Sequence, residues 1–286
     1  MQLRLMKRIR YSVGLFIIFA CKMASLSASA DLYHKVQTII FDCDGVLVDT
    51  EYLKFLAWQE ALASQDIDFS IEEYMPLVGH SSKNILKMIE QSKKLELSDQ
   101  IIDLKNTKYK ILQKQGVTAI QPMVDFVRCL SENKERLGLQ LGLASSAPKE
   151  EILINLRQIG LDNAFDLVIS GSDDLEDYID AEGKNKPKPY IYIEAAKRLN
   201  VLPELCLVFE DTTAGVDAAA TAGMNVIAVP NLFTINQDFS MASTVFFSHK
   251  ELVLSFFNHN HHCDTLKIRK KKKKFVFCHK PCHKLE

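Results

Sequence analysis

Two hydrophobic patterns alternate along most of the chain. Short apolar runs rich in β-branched residues are separated by stretches in which apolar residues recur every three or four positions. The first pattern predicts buried strands and the second predicts amphipathic helices. Strands are predicted at 36–41, 139–144, 165–170, 205–209 and 226–229, with an edge strand at 244–247, and helices at 122–137, 148–159, 189–199 and 213–222. This alternation predicts an α/β fold with a mostly parallel sheet and right-handed crossovers.

The segment after the first strand departs from this alternation. Helical periodicity is found at 51–63, 81–90 and 98–115, and no strand pattern is clear between Thr50 and Gly116. We therefore predict a helical cap at residues 50–120, inserted into a sheet domain formed by residues 31–49 and 121–257.

Charge is distributed unevenly along the chain of 286 residues. The net charge of −1 combines +5 in residues 1–30 and +7 in residues 263–286 with −13 between them. An acidic body argues against a nucleic-acid partner, because the phosphate backbone would be repelled. It suits a small substrate bound at a local site, and we expect the protein to be a monomer.

The two ends of the chain allow more than one interpretation. Basic residues, the apolar run 13–21 and Ala28-Ser29-Ala30 resemble a cleaved signal peptide, whereas Lys22 and Met23 favour a disordered or misassigned extension at residues 1–30. We prefer the second and expect a cytoplasmic protein. The apolar run is too short to span a bilayer. The tail 258–286 is rich in Lys, His and Cys without standard zinc-ligand spacing, so we expect it to be solvated and disordered.

Two carboxylates end the first predicted strand. Asp42 and Asp44 lie one residue apart, and Gly45 follows them. Ligands of parallel sheets bind beyond the carboxyl ends of the strands, and alternate residues of a strand point the same way. Like charges this close favour a bound cation or a shared proton, which suits metal-assisted nucleophilic chemistry. A pair of acidic turn residues is the simpler alternative.

Three further candidate groups follow other predicted strands or open predicted helices. Ser145 and Ser146 could bind phosphate oxygens, or could cap the next helix. Lys186, in the run Lys186-Pro187-Lys188-Pro189 that opens a predicted helix, could neutralise a phosphate, or could lie in a solvated basic loop. Glu210 and Asp211 could complete an oxygen site for Mg²⁺, or Asp211 could be a helix cap.

These groups in this order resemble the haloacid dehalogenase superfamily, in the branch of beta-phosphoglucomutase and sugar-phosphate phosphatases. The resemblance runs from about Val36 to Leu254 and implies a Rossmann-like, doubly wound core with an inserted cap. It implies that Asp42 is a nucleophile forming an aspartyl phosphate and that Asp44 is the general acid and base. It also implies phosphate binding by Ser145, Ser146 and Lys186, and a hinge at Asp49 and Thr50. The implied Mg²⁺ ligands are Asp42, the Asp44 backbone carbonyl, Glu210 and Asp211.

The resemblance implies a Mg²⁺-dependent phosphatase for a small phosphorylated metabolite, with a sugar phosphate as the expected substrate. A phosphomutase is the alternative, and a non-catalytic phospho-ligand binding protein is a third. Where the mutases have a cap histidine this chain has Lys54, and where they have an arginine after a glycine it has Gly79-His80-Ser81-Ser82. These departures favour a phosphatase. We expect the substrate to contact Thr50, Lys54, His80, Ser81 and Lys83.

Overall fold

The computed structural model describes residues 36–258. The strands are β1 (Thr38–Phe41), β2 (Val48–Asp49), β3 (Thr118–Ala119), β4 (Gln140–Ser145), β5 (Leu167–Ser170), β6 (Cys206–Glu210), β7 (Asn225–Ala228) and β8 (Thr244–Val245). The helices are α1 (Glu51–Ala63), α2 (Ile71–Tyr74), α3 (Ser82–Lys93), α4 (Gln100–Gln115), α5 (Gln121–Leu137), α6 (Lys149–Gln158), α7 (Tyr190–Arg198), α8 (Thr213–Thr221) and α9 (His249–Asn258). Single 3₁₀ turns occur at Met75–Leu77 and Pro203–Leu205.

Six strands form one parallel sheet in the order β5-β4-β1-β6-β7-β8. Successive residues of β1 face opposite sides of it, as strand geometry requires. Ile39 and Phe41 pack in a cluster that includes residues of α5 and α6, whereas Ile40 packs in a cluster that includes residues of α7 and α8. Helices therefore cover both faces, which explains why β1 reads as a continuous apolar run. The predicted α/β class and its parallel sheet are confirmed.

A helical insert, defined here as residues 51–115, separates β1 and β2 from the rest of the sheet domain. Its four helices share an apolar cluster that contains Phe55, Trp58, Tyr74, Ile85 and Ile101. α1 has the predicted bounds, and α4 ends at the predicted residue. An inserted helical unit was predicted here, and the structure has one.

Some elements were not predicted. β2 and β3 pair antiparallel where the chain enters and leaves the insert. Each strand has two residues, so neither can show an alternating pattern. α2 was also missed, although its capping box of Ser70 and Glu73 is a readable sequence signal. α9 was not predicted, and β1 and β8 are each two residues shorter than predicted.

The predictions for the two ends of the chain lie outside the described residues. These are the signal-like extension, residues 31–35 of the sheet domain and almost all of the basic tail. Within residues 36–258, the structure contains no helix that has both the length and the apolar character needed to cross a bilayer.

Candidate active site

Three carboxylates meet at the carboxyl ends of two adjacent central strands. Asp42 follows β1, Glu210 is the last residue of β6, and Asp211 comes next. All three are buried, and one oxygen from each lies within 4.8 Å of the others. Parallel pairing of β1 with β6 brings these residues together although they are far apart in sequence.

Lys186 lies among these carboxylates. Its side chain is 6 % exposed, and Nζ donates to Asp42 Oδ1 at 2.6 Å and to Glu210 Oε1 at 2.6 Å. Nζ also donates to the backbone carbonyl of Ala144 at the end of β4, at 2.9 Å. The Tyr192 hydroxyl donates to Glu210 Oε1 at 2.5 Å, and Lys186 Nζ lies 5.2 Å from the Tyr192 ring centre. Lys186 is thus a buried ion-pair partner, and the alternative of a solvated loop lysine is wrong.

Burial controls the ionisation of Asp42 and Asp211. It raises the pKa of Asp42 to about 7, with Lys186 opposing the shift and Glu210 adding to it. Burial likewise raises the pKa of Asp211 well above its usual value, and the charges on Asp42 and Glu210 add to the effect. Burial alone would lower the pKa of Lys186, but the Asp42 and Glu210 carboxylates keep it well above the usual value. One lysine cannot offset three carboxylates, so the group favours a further cation.

Asp42, Glu210 and Asp211 fit a bound Mg²⁺ by their chemistry. Carboxylate oxygens are the hard ligands that Mg²⁺ prefers, and three converge here. The fourth predicted ligand was the backbone carbonyl of Asp44, and this role stays a prediction. Asn231 was not predicted, yet its Nδ2 donates to Asp211 Oδ2 at 2.7 Å and so orients that carboxylate.

Two glycines allow the acidic residues to approach the backbone closely. Gly45 has a φ of +79°, and a Cβ there would lie 2.0 Å from Asp211 Oδ2. A Cβ at Gly215 would lie 2.0 Å from the carboxyl carbon of Glu210. Both contacts are shorter than real Cβ atoms allow, so a side chain at either position would displace a carboxylate.

Asp44 belongs to a second polar network on the side of the insert. Its Oδ1 accepts a 2.5 Å hydrogen bond from the Thr50 hydroxyl, and its Oδ2 lies 3.7 Å from Lys54 Nζ. Lys54 also donates to Glu51 at 2.7 Å, and the Tyr74 hydroxyl donates to the other Glu51 oxygen at 2.9 Å. Burial opposes the charge on Lys54, but Asp44 and Glu51 hold its pKa well above the usual value. Asp44 is thus connected to the insert through Thr50 and Lys54.

The two predicted serines have different environments. Ser145 ends β4, is buried, and its Oγ accepts a hydrogen bond from the backbone N–H of Ala147 at 3.1 Å. Ser146 is exposed, and its hydroxyl donates to Asn185 Oδ1 at 2.8 Å. Ser146 therefore fixes the residue before Lys186. Neither serine is the N-cap residue of α6, since that position is Pro148.

A cavity of about 500 Å³ lies between the sheet domain and the insert. Asp42, Asp44, Lys186, Glu210 and Asp211 line it, together with Ser145, Ser146, Lys54, His80 and Ser81. Every predicted site residue except Asp49, Thr50 and Lys83 therefore lines one cavity. Thr50 is fully buried and contacts Asp44, and Lys83 is exposed on α3. Ser81 also caps α3 by accepting from the Asn84 N–H at 3.3 Å.

Several residues that line the cavity were not predicted. The largest group of them lies on α1 and α4, where the helical pattern gives no sign of which polar positions face the site. Lys105 is the clearest case, because it is 9 % exposed and lies near the rings of Trp58 and Tyr109, at 5.8 and 5.6 Å. Burial, with the charge of Lys54 adding, lowers its pKa to about 8. The others include Glu51, Tyr74, Asn106, Lys110, Glu151 and Asn185.

This chain is similar in sequence to known hydrolases and phosphate-transferring enzymes. A family model described as haloacid dehalogenase-like hydrolase matches residues 36–223. A protein of Thermotoga maritima named phosphorylated carbohydrates phosphatase is 31% identical over 192 residues, which cover 67% of this chain and 84% of that protein. The beta-phosphoglucomutase of Bacillus subtilis is 29% identical over 201 residues, covering 68% of this chain and 83% of that enzyme.

A solved structure shows the same fold. The crystal structure of CbbY from Rhodobacter sphaeroides in complex with phosphate superposes with a TM-score of 0.64 at 26% identity. The superposition covers 76% of this chain and 96% of that one. Because the family model matches residues 36–223 and the Thermotoga maritima protein is 31% identical over 67% of this chain, this chain belongs to the haloacid dehalogenase-like hydrolase family.

Proposed function

We propose that this protein is a Mg²⁺-dependent phosphatase that hydrolyses a small phosphorylated carbohydrate through an aspartyl-phosphate intermediate. The observation that carries the proposal is that residues from distant parts of the chain line one cavity. Asp42, Asp44, Ser145, Lys186 and Asp211 come from four distant segments, and all line one cavity at the carboxyl edge of a parallel sheet. The names of the relatives support phosphorylated carbohydrates as the substrate class.

The proposed reaction begins with Asp42. Its carboxylate attacks the phosphorus atom, the bond from phosphorus to the sugar oxygen breaks, and Asp44 gives a proton to the leaving oxygen. Asp44, now ionised, takes a proton from a water molecule that attacks the phosphorus of the aspartyl phosphate. This second step releases inorganic phosphate and restores Asp42. Thr50 and Lys54 orient Asp44 throughout, because both contact its carboxylate.

Charge stabilisation supplies most of the rate in phosphoryl transfer, whose transition state is loose. Lys186 is held beside Asp42 and offers a fixed positive charge to the transferring group. Ser145 adds a hydroxyl at the end of β4. Mg²⁺, when bound by Asp42, Glu210 and Asp211, supplies Lewis-acid stabilisation of phosphoryl oxygens. The insert acts as a cap that excludes water from the cavity and contacts the sugar.

The nucleophile is tested by Asp42→Asn, which keeps the size of the side chain. We expect phosphate release to fall by roughly a thousandfold or more while the circular dichroism spectrum is unchanged. Asp162→Asn is the matched control, because Asp162 is exposed in the loop between α6 and β5. Substrates would be screened as a panel of phosphorylated sugars. Full activity of the Asp42 variant would refute the assignment, and no turnover of any substrate by the wild type would favour a binding protein.

A phosphomutase is the second candidate, supported by the beta-phosphoglucomutase relative and by the lysines on the insert side of the cavity. Lys54, Lys105 and Lys110 could hold the second phosphate of a bisphosphate. Assays with a hexose 1-phosphate, with and without a hexose bisphosphate activator, distinguish the two. A phosphatase releases phosphate in both conditions, whereas a mutase converts the substrate to an isomer when the activator is present.

A further inference from the structure

The loop between β7 and β8 contacts both Asp211 and the helical insert. We define it as the 230–238 loop. Asn231 donates to Asp211, and the ring of Phe233 packs edge-on against Tyr74 of the insert, with 6.3 Å between ring centres. Gln237 bonds to both domains. Its Oε1 accepts from the Thr213 N–H at 2.8 Å, and its Nε2 donates to the carbonyl of Val78 at 3.0 Å.

The position of the Gln237 bond sets it apart from other contacts between the domains. Within residues 36–258, side-chain hydrogen bonds between the insert and the later part of the sheet domain fall into two groups. One is centred on Gln113, whose side chain bonds Asn155 and Glu151 of α6 and whose carbonyl accepts from Gln158 of the same helix, close to the point where the chain leaves the insert. The other is the Gln237–Val78 bond. Contacts beside a hinge can persist when a cap opens, whereas contacts away from it must break.

Val78 directly precedes the segment 79–82, which lines the cavity from the insert side. Thr213, the other partner of Gln237, directly follows Thr212, which lines the cavity from the sheet side. A single amide therefore ties the two walls together. The loop itself is internally braced, because the Thr234 hydroxyl accepts from the Asn231 N–H at 3.0 Å and the Gln237 N–H donates to the Thr234 carbonyl at 2.9 Å. A braced loop can transmit the position of the insert to Asn231 and so to Asp211.

We propose that Gln237 is a positioning residue that holds the insert closed over the cavity, through its hydrogen bond to the Val78 carbonyl. The inference rests on the proposed function, in which the insert acts as a cap. It adds a specific hydrogen bond that sets the fraction of protein molecules in which the insert is closed over the cavity. Loss of one hydrogen bond should shift the ratio of closed to open protein by roughly two- to tenfold.

Trp58 provides a readout that does not depend on activity. It is the single tryptophan of the chain, is 1 % exposed and lines the cavity. Opening of the insert would let acrylamide reach it, so quenching of its fluorescence measures the open fraction. The experiment uses the full chain with Mg²⁺ at about pH 8, with and without inorganic phosphate, so that a glutamate is ionised.

Gln237→Glu separates the two bonds of the amide. A glutamate keeps an oxygen acceptor for the Thr213 N–H but has no donor for the Val78 carbonyl. Gln237→Leu removes both bonds, and Gln65→Glu is the matched control, because Gln65 is an exposed residue of the insert. We expect both Gln237 variants to increase the quenching constant of Trp58 and the KM by roughly two- to tenfold, with a smaller change in kcat.

An unchanged Gln237→Glu variant would refute this role of Gln237. If Gln237→Glu matches Gln65→Glu in quenching and in KM, Gln237 only caps the start of α8 and the proposal is wrong. Phe233→Leu is a second variant that weakens the same closure through the Tyr74 ring, and it should increase quenching in the same direction. Quenching is measured whether or not the protein turns over a phosphate ester. Failure of the proposed function therefore appears as inactive wild type, and failure of this inference as unchanged quenching.

Discussion

Replacement of Lys186 by methionine tests the electrostatic design of the site most directly. Methionine keeps the length and apolar body of the side chain but removes the ammonium group. The Lys186 ammonium donates to two buried carboxylates and one carbonyl, so the variant leaves Asp42 and Glu210 without their cation. Removing one partner of a buried ion pair costs about 3–5 kcal/mol, because the remaining charge stays buried. For a domain of this size we expect an unfolding midpoint lower by roughly 6–20 °C.

The pH dependence of this loss has a defined sign. Without Lys186, the pKa of Asp42 should rise further above its unfolded value, so the stability penalty grows as pH increases through the carboxyl range. At low pH Asp42 is protonated in both the folded and the unfolded state, and the penalty shrinks. The wild-type lysine is charged at about pH 5 and at about pH 8, because its pKa lies well above the usual value. Chemical denaturation without Mg²⁺ should therefore show a larger difference at about pH 8 than at about pH 5.

The same variant should lose transition-state stabilisation. Removal of one fixed charge or donor from such a site costs about 2–4 kcal/mol, or roughly 30- to 1000-fold in kcat/KM. Lys188→Met is the control, since Lys188 is 31% exposed and pairs with Glu182 at 2.6 Å. Such surface pairs contribute about 0–1 kcal/mol. An Lys186 variant with unchanged stability and less than about a tenfold loss of activity would refute the assigned role.

Two other predictions concern the metal site and the insert. Mg²⁺ at about 100 times its Kd should stabilise the protein by about 2.7 kcal/mol. The gain should be smaller at about pH 5.5 than at about pH 8, because the raised pKa of Asp42 and Asp211 leaves both carboxyl groups protonated in acid. Equal thermal shifts at both pH values, or an unreduced shift in Asp211→Asn, would argue against these ligands. Lys105→Met should reduce kcat/KM by roughly 10- to 100-fold without lowering the unfolding midpoint, because it removes a buried charge that faces the cavity. Lys108→Met, on the exposed side of α4, is the control, and equal kinetic effects of the two would contradict a specific role for Lys105.

The predicted strand-end groups are found at the expected edge of the sheet. Asp42, Ser145 and Glu210 each lie at the end of a parallel strand or directly after it. This was predictable because the apolar run, the carboxylates and the glycine that follows them are close together in sequence. Lys186 was placed near a helix start, but its 2.6 Å contact with Asp42 joins residues 144 positions apart. The two side chains meet where the ends of β4, β1 and β6 lie side by side, because Lys186 Nζ contacts Ala144, Asp42 and Glu210 there.

Tyr192, Asn231 and Lys105 were not predicted, and the reason is the same for all three. Tyr192 and Asn231 contact Glu210 and Asp211 at 2.5 and 2.7 Å, yet each lies in a segment without a recognisable motif. Lys105 occupies a helix whose polar positions look alike in sequence. For such residues, function depends on which side of an element faces the cavity, and that orientation is set by packing against distant parts of the chain.

By itself the amino-acid sequence determined the α/β class, the position of the helical insert, and the order of the carboxylates, serines and lysine. These features depend on periodicity and on neighbours within a few residues, which local physical chemistry can specify. The tertiary structure decided that the groups share one cavity, that Lys186 is buried between two carboxylates, and that Gln237 joins the 230–238 loop to the insert. Contacts of this kind arise from strand order and domain packing. No local sequence pattern predicts them.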